Sequence, residues 1–96
     1  MAKKLTDSTA LVTGGGRGIG RAICNQLSQA GARVAVADID LAVARETEAE
    51  LPTSGLAISM DISSKNQVDS AFSRIHEHFG GLDILVNNAG IFTFTT

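Results

Sequence analysis

The sequence predicts an α/β chain on an open parallel sheet, and three observations predict it. Short apolar runs alternate with longer stretches in which apolar residues recur at helical spacing, the pattern of βαβ units. The first run, Thr9-Ala10-Leu11-Val12, is continuous, as suits a strand covered on both faces. That run empties into Gly14-Gly15-Gly16, and the glycines feed directly into a helical stretch.

Each element has its own local signature. After the glycine turn, Ile19, Ile23, Leu27 and Ala30 fall three and four apart on one predicted helix face, and Gly31 is placed to end that helix. Arg33-Val34-Ala35-Val36-Ala37 is the second strand and ends at Asp38. Asp40 is suited to cap a second helix running to about Leu51, with Leu41, Ala44 and Leu51 inward and Glu46, Glu48 and Glu50 in water. Pro52-Thr53-Ser54-Gly55 reads as a loop, and Leu56-Ala57-Ile58-Ser59-Met60 as a third strand ending at Asp61. Ser64 with Gln67 has the spacing of a capping box; Val68, Phe72, Ile75 and Phe79 form the stripe of a third helix, which Gly80-Gly81 stops. Asp83-Ile84-Leu85-Val86 is the fourth strand and runs into Asn87-Asn88-Ala89-Gly90.

Four strands with three helical crossovers leave few topologies, because such crossovers are right-handed. Strands one to three step one way and strand four returns beside strand one, giving the order 3-2-1-4. This is the opening of a Rossmann-type fold, here truncated, with ligand expected beyond the carboxyl ends of strands one and four. The first two helices should cover one face of the sheet and the third helix the other. Strand four should then have an open edge beside the alternating tail Ile91-Phe92-Thr93-Phe94-Thr95, an arrangement that favours self-association.

Composition narrows the function. The chain has 96 residues, one domain at most, and 44% of them are hydrophobic, a globular composition rather than a disordered one. Its net charge of −2 supplies no basic field for nucleic acid or an anionic membrane surface, and four Phe as the sole aromatics make a poor base-stacking platform. No apolar stretch approaches the roughly 20 residues of a membrane span. A single cysteine, Cys24, excludes an internal disulfide and a cysteine-rich zinc site. With no apolar run after Lys3-Lys4, the chain is expected in a reducing cytoplasm. Cys24 has no histidine partner nearby in sequence, and His76 and His78, two apart on a helix, face different directions, so neither a thiol nucleophile nor a metal site is expected.

The residues that carry chemistry lie where the strands end. Thr13-Gly14-Gly15-Gly16-Arg17-Gly18-Ile19-Gly20 fits T-G-x-x-x-G-x-G on Gly14, Gly18 and Gly20 rather than G-x-G-x-x-G, and it lacks the Gly-Lys-Ser/Thr ending of a P-loop. Such a turn lets backbone N–H groups approach a phosphate, and the helix N-terminus adds a favourable dipole. Asp38 is placed to accept hydrogen bonds from both hydroxyls of an adenosine ribose. It would also repel a 2′-phosphate, by roughly 4 kcal/mol before screening at about 4 Å and an effective dielectric near 20. That selects NAD over NADP, although Arg17 in the glycine loop is equally placed to meet a 2′-phosphate, the pyrophosphate or adenine. Asp61 reads as well as a helix cap as it does as an acceptor for the adenine amino group, with Ile62 bordering the ring. Asn87-Asn88-Ala89-Gly90 alone reads as a turn.

Taken together, Thr13-Gly14-x-x-x-Gly18-x-Gly20, Asp38, Asp61-Ile62 and Asn87-Asn88-Ala89-Gly90 resemble the short-chain dehydrogenase/reductase family from about Ser8 to Gly90. The resemblance implies a nicotinamide-dinucleotide oxidoreductase acting on alcohol or carbonyl groups. It places Gly14, Arg17, Gly18, Ile19 and Gly20 at the pyrophosphate, Asp38 at the adenosine ribose, Asp61 and Ile62 at adenine, and Asn88, Ala89 and Gly90 along the nicotinamide ribose. Thr13 and Asn87 would hold the loop and the central strands.

One departure is as specific. The family's acid/base is the tyrosine of a Tyr-x-x-x-Lys motif aided by a serine, and this chain has no tyrosine, its lysines being Lys3, Lys4 and Lys65. The resemblance therefore implies that residues 1–96 are a partial NAD(P)-binding domain, the first part of a longer enzyme or a truncated product, without turnover alone. A stand-alone or regulatory dinucleotide-binding module stays open beside it. A nucleoside-cofactor methyltransferase is disfavoured by Asn-Asn-Ala-Gly and by the absence of G-x-G-x-G.

Overall fold

The structure is a computed structural model and describes residues 4–88. Its elements are β1 (Thr9–Thr13), α1 (Gly18–Gln29), β2 (Arg33–Asp38), α2 (Leu41–Glu50), β3 (Gly55–Ser59), α3 (Lys65–Phe79) and β4 (Ile84–Asn87). The strands form one sheet in the order β3-β2-β1-β4, every pair parallel. This is the predicted Rossmann-type arrangement, and β1 is buried along its whole length. No helix among the described residues is long and apolar enough to cross a membrane.

Two apolar layers sandwich the sheet. On one face Val12, Val34 and Val36 pack with Cys24 of α1 and Ala44 of α2. On the other, Leu11, Ala35, Ala37 and Ile58 pack with Ala71, Ile75 and Phe79 of α3. Alternate residues of β1 and β2 thus serve opposite layers, which is why these strands read as continuous apolar runs. The two-to-one division of helices comes from the right-handed crossovers.

The expected helix faces shift. In α1 the fully buried line is Gly20, Cys24 and Ser28, while Ile19 is 68% exposed and Ile23 and Leu27 pack only partly against the core. The helix lies close enough to the sheet that small residues occupy the contact and larger ones flank it. In α3 the buried line is Ala71, Ile75 and Phe79; Phe72, expected inward, stays at the surface. Gln67 also departs from its expected part. Ser64 Oγ accepts from Gln67 N at 3.3 Å, but Gln67 Oε1 accepts from Asp61 N at 2.8 Å instead of reaching back to Ser64. The amide of Ser64 is already taken by the Asp61 carbonyl at 2.9 Å.

Other ends behave as read. Asp40 Oδ1 caps α2, accepting from Ala42 N at 3.0 Å and Val43 N at 3.4 Å. Gly31 and Gly80 take left-handed backbone just past α1 and α3. β4 begins one residue later than expected because Asp83 has another task. Its amide donates to Thr9 O at 2.9 Å and its carboxylate accepts from Thr9 N at 2.8 Å, clamping the start of β1. Among the described residues β4 pairs with β1 alone, and Leu85 on it is 55% exposed.

Glu50, expected simply in water, joins α1 to α2. Arg21 donates to both its oxygens, and Asn25 Nδ2 donates to one at 2.6 Å. The Arg21 guanidinium and the Asn25 amide hold the Glu50 carboxyl down at about 2, below its ordinary 4.5. A depressed carboxyl stabilises the fold above its ordinary range, and that contribution fades as pH falls toward the folded value. Thermal melts between pH 5 and pH 2 should show a loss of stability that is shallower in Glu50→Gln; equal slopes would remove this pair as a contributor.

Cys24 is fully buried beside the Gly15 carbonyl, and loss of hydration pushes its thiol up to about 12. Iodoacetamide at pH 8 should label it slowly in the folded chain and rapidly in urea. Equal rates would show that the α1 contact with the sheet is open in solution.

Candidate functional site

Register decides which residues meet. Thr13 lies opposite both Ala37 and Asn87, and Asp38 opposite Ser59, so the four strands end at nearly one level. The segments leaving the strands therefore collect along a single edge of the sheet: the glycine turn after β1, Asp38 to Asp40 at the end of β2, Met60 to Ile62 after β3, and Asn88 after β4.

The glycine turn is held from three sides. Gly15 N donates to Ala37 O at 2.9 Å, Gly16 N to Asp38 Oδ2 at 3.2 Å, and the Gly16 carbonyl accepts from the buried Thr47 Oγ1 at 3.0 Å. Gly18 opens α1 at φ +56°, a conformation that side-chain-bearing residues rarely adopt. Gly20 has a different reason to be glycine. A Cβ there would collide with the Gly14 carbonyl oxygen and lie 2.8 Å from Asn88 Nδ2. The bare backbone of α1 rests on the turn that leads into it.

Asn88 completes that contact. Its Nδ2 donates to the Gly14 carbonyl at 3.2 Å, while Thr13 Oγ1 lies 3.1 Å from Asn87 Oδ1 and 3.4 Å from Val86 O. The two asparagines thereby tie the end of β4 to the end of β1. Ala89 and Gly90, named with them from the sequence, lie outside the described residues.

The N-terminus of α1 differs from those of α2 and α3 in lacking a side-chain cap: its N-cap, Arg17, makes no capping hydrogen bond. The first N–H groups of a helix have no partner within it, so they face the mouth of the turn with the positive end of the helix dipole. Arg17 instead extends outward, its Nη2 3.9 Å from Asp38 Oδ1 and 3.8 Å from Asp40 Oδ2. Ile19, two residues on, is left in solvent.

Asp38 is 6% exposed. Its Oδ2 accepts from Gly16 N, and its Oδ1 accepts from Asp40 N at 3.0 Å. One carboxylate thus braces the glycine turn and the entry to α2, and its fixed orientation belongs to a shallow depression of about 220 Å³. Thr13, Gly14, Asp38, Ile39, Met60, Asp61 and Ile62 line it. That volume is below the roughly 300–1,000 Å³ of a drug-sized site, so it suits one end of an extended ligand. Two further depressions lie along α3, around Phe72 and around Arg74, away from the strand ends.

Asp61 does not cap α3, whose N-cap is Ser64; it braces the turn before that helix. Its Oδ1 accepts from Ser63 N at 2.9 Å and Ser63 Oγ at 2.7 Å, bonds that lower its pKa and shape the entry to α3, and the residue still lines the depression. Ser63 is the donor in both bonds. Ile39 was missed. It is 70% exposed at the rim, and Ile62, at 37%, lines the same depression. An isoleucine set between Asp38 and Asp40, outside any apolar stripe, was the available signal. Gly16 was also passed over as a variable position of the motif, although its amide is the one that meets Asp38.

No group of three or more His, Cys, Asp or Glu among the described residues is arranged to hold a metal. The site instead presents uncapped helix amides, a buried carboxylate at the end of the neighbouring strand, and two isoleucines at the rim.

Comparison with known proteins identifies the family of the chain. The family model for short chain dehydrogenase matches residues 8–96. A sorbitol dehydrogenase of Cereibacter sphaeroides is 44% identical over 89 residues, covering 93% of this chain and 35% of that protein. A galactitol 2-dehydrogenase of Agrobacterium fabrum is 40% identical over 89 residues, with the same shares. Among solved structures, the 3-ketoacyl-(acyl-carrier-protein) reductase of Brucella melitensis complexed with NADH superposes with a TM-score of 0.82 at 35% identity, over 85% of this chain and 34% of that one. The chain spans about a third of the length of these relatives.

Gly20→Ala should cost about 3 kcal/mol or prevent folding, since backbone cannot yield as a side chain would. A denaturant titration checks this; a loss below about 1 kcal/mol would show that α1 does not rest on the glycine turn.

Proposed function

The chain belongs to the short-chain dehydrogenase/reductase family, and from that premise we propose that it forms the part of an oxidoreductase that binds a nicotinamide dinucleotide, NAD in preference to NADP. The observation that carries the preference is the buried, doubly anchored Asp38 at the edge of the depression. A carboxylate held in that way accepts from ribose hydroxyls without reorganising and repels a phosphate in their place.

In this reading the α1 amides from Gly18 to Gly20 take the pyrophosphate, with Gly14 keeping the turn open and Arg17 and Ile19 beside it. Asp38 orients the adenosine ribose. Asp61, Ile62 and Ile39 border adenine, and Asn88, Ala89 and Gly90 run along the nicotinamide ribose. When bound, the dinucleotide supplies the hydride acceptor or donor for an alcohol or carbonyl substrate. The chain's own residues bind and orient. They hold no tyrosine to move the hydroxyl proton, and turnover by residues 1–96 alone is not expected. A stand-alone binding or regulatory module built on the same site is the second reading. A reducing cytoplasm suits the free Cys24 in either case, and the flank of β4 that no strand among the described residues covers suits pairing with further strands or a second copy.

Calorimetric titration of the chain with NAD and NADP tests the proposal. NAD should bind more tightly, and Asp38→Asn, which keeps an acceptor oxygen but removes the charge, should move the NADP-to-NAD affinity ratio toward NADP by about tenfold after screening. Tighter binding of NADP by the unsubstituted chain would overturn the role given to Asp38.

A further inference from the structure

Arg17 poses a contradiction within the proposed site. An exposed guanidinium beside an adenosine ribose is a ready partner for a 2′-phosphate, with several donors in a planar fork. The same site carries Asp38, which excludes that phosphate. Geometry resolves the contradiction through Asp40.

The two oxygens of Asp40 are divided. Oδ1 caps α2 through Ala42 N and Val43 N, and this fixes the carboxylate in place. Oδ2 is left to face Arg17 Nη2 at 3.8 Å. Asp38 is divided in the same manner, with Oδ2 on Gly16 N and Oδ1 3.9 Å from the same Nη2. The guanidinium therefore stands over two carboxylates, each oriented by backbone amides. Asp38 alone would leave a one-to-one ion pair that an incoming dianionic phosphate competes for. The second carboxylate tips the local balance to net negative and anchors Arg17 on the α2 side.

Resting on the dinucleotide reading above, we propose that Asp40 is a positioning residue for cofactor specificity: by pairing with Arg17 it keeps that guanidinium from serving a 2′-phosphate, so that the chain discriminates against NADP by more than Asp38 accounts for. Asp40 acts through Arg17, and its distance from the bound sugar is immaterial. At a solvent-facing site the effect of one such pair is modest.

The test is a mutant cycle read by calorimetric binding of NAD and NADP. Asp40→Asn and Asp40→Ser both keep a good helix N-cap while removing the charge, and circular dichroism verifies the fold of each. Both should raise the NADP-to-NAD affinity ratio by about fivefold, the scale of a surface ion pair. In an Arg17→Gln background the same substitutions should leave the ratio unchanged within about twofold. If the ratio rises equally with and without Arg17, Asp40 repels the phosphate directly and the proposal is wrong. If NAD binds but the ratio does not move, Asp40 is only a cap and the proposal is again wrong, with the dinucleotide reading intact. If neither cofactor binds the unsubstituted chain, the dinucleotide reading falls and takes this inference with it.

Discussion

The close seating of α1 on its own entry turn sets the terms for everything around it. With no Cβ on Gly20, the helix backbone approaches the Gly14 carbonyl to a distance that any side chain would block. That carbonyl is then within reach of Asn88, so the same approach recruits β4 to the turn. Further along α1 the consequence is the buried line Gly20, Cys24 and Ser28, small residues one turn apart. The apolar stripe expected from periodicity is displaced to the flanks, and Ile19 is left in water.

A helix lowered in this way presents its first amides at the edge of the sheet, where β2 and β3 deliver their carboxylates. The charges there are not distributed evenly. Asp38 is buried and committed to two backbone amides, while Arg17 and Asp40 are exposed and Arg17 is paired loosely with both aspartates. Burial without a compensating charge is costly for a carboxylate, and here the two N–H donors and the nearby guanidinium together meet that cost. The arrangement gives one edge of the sheet both an anion-attracting element and an anion-repelling one, a few ångströms apart. Under the proposed function, that division serves the charged bridge and the neutral diol of one ligand.

Much of this was legible from local pattern. Strand and helix order comes from periodicity, which each segment carries in its own residues. The β3-β2-β1-β4 order comes from crossover handedness. Caps at Asp40, Gly31 and Gly80 come from the conformations those residues favour. The candidate residues Gly14, Gly18, Gly20, Asp38, Asp61, Ile62 and Asn88 were legible because each stands at a strand end or at a turn opening a helix. Residues whose part depends on a partner distant in the chain were not: Glu50 bridging to Arg21 and Asn25, Asp83 clamping Thr9, Ile39 sharing a rim with Ile62.

Hydrophobic spacing reports which side chains gain by leaving water, so together with the handedness of the crossovers it was enough to establish the class of fold and the order of its strands. It carries no information about how near two backbones come. Only the packed chain settled that a glycine contact rather than an isoleucine stripe seats α1, and that the carboxylates of Asp38 and Asp40 share one guanidinium. Those outcomes depend on separations of a few ångströms between segments that are neighbours in space and not in sequence.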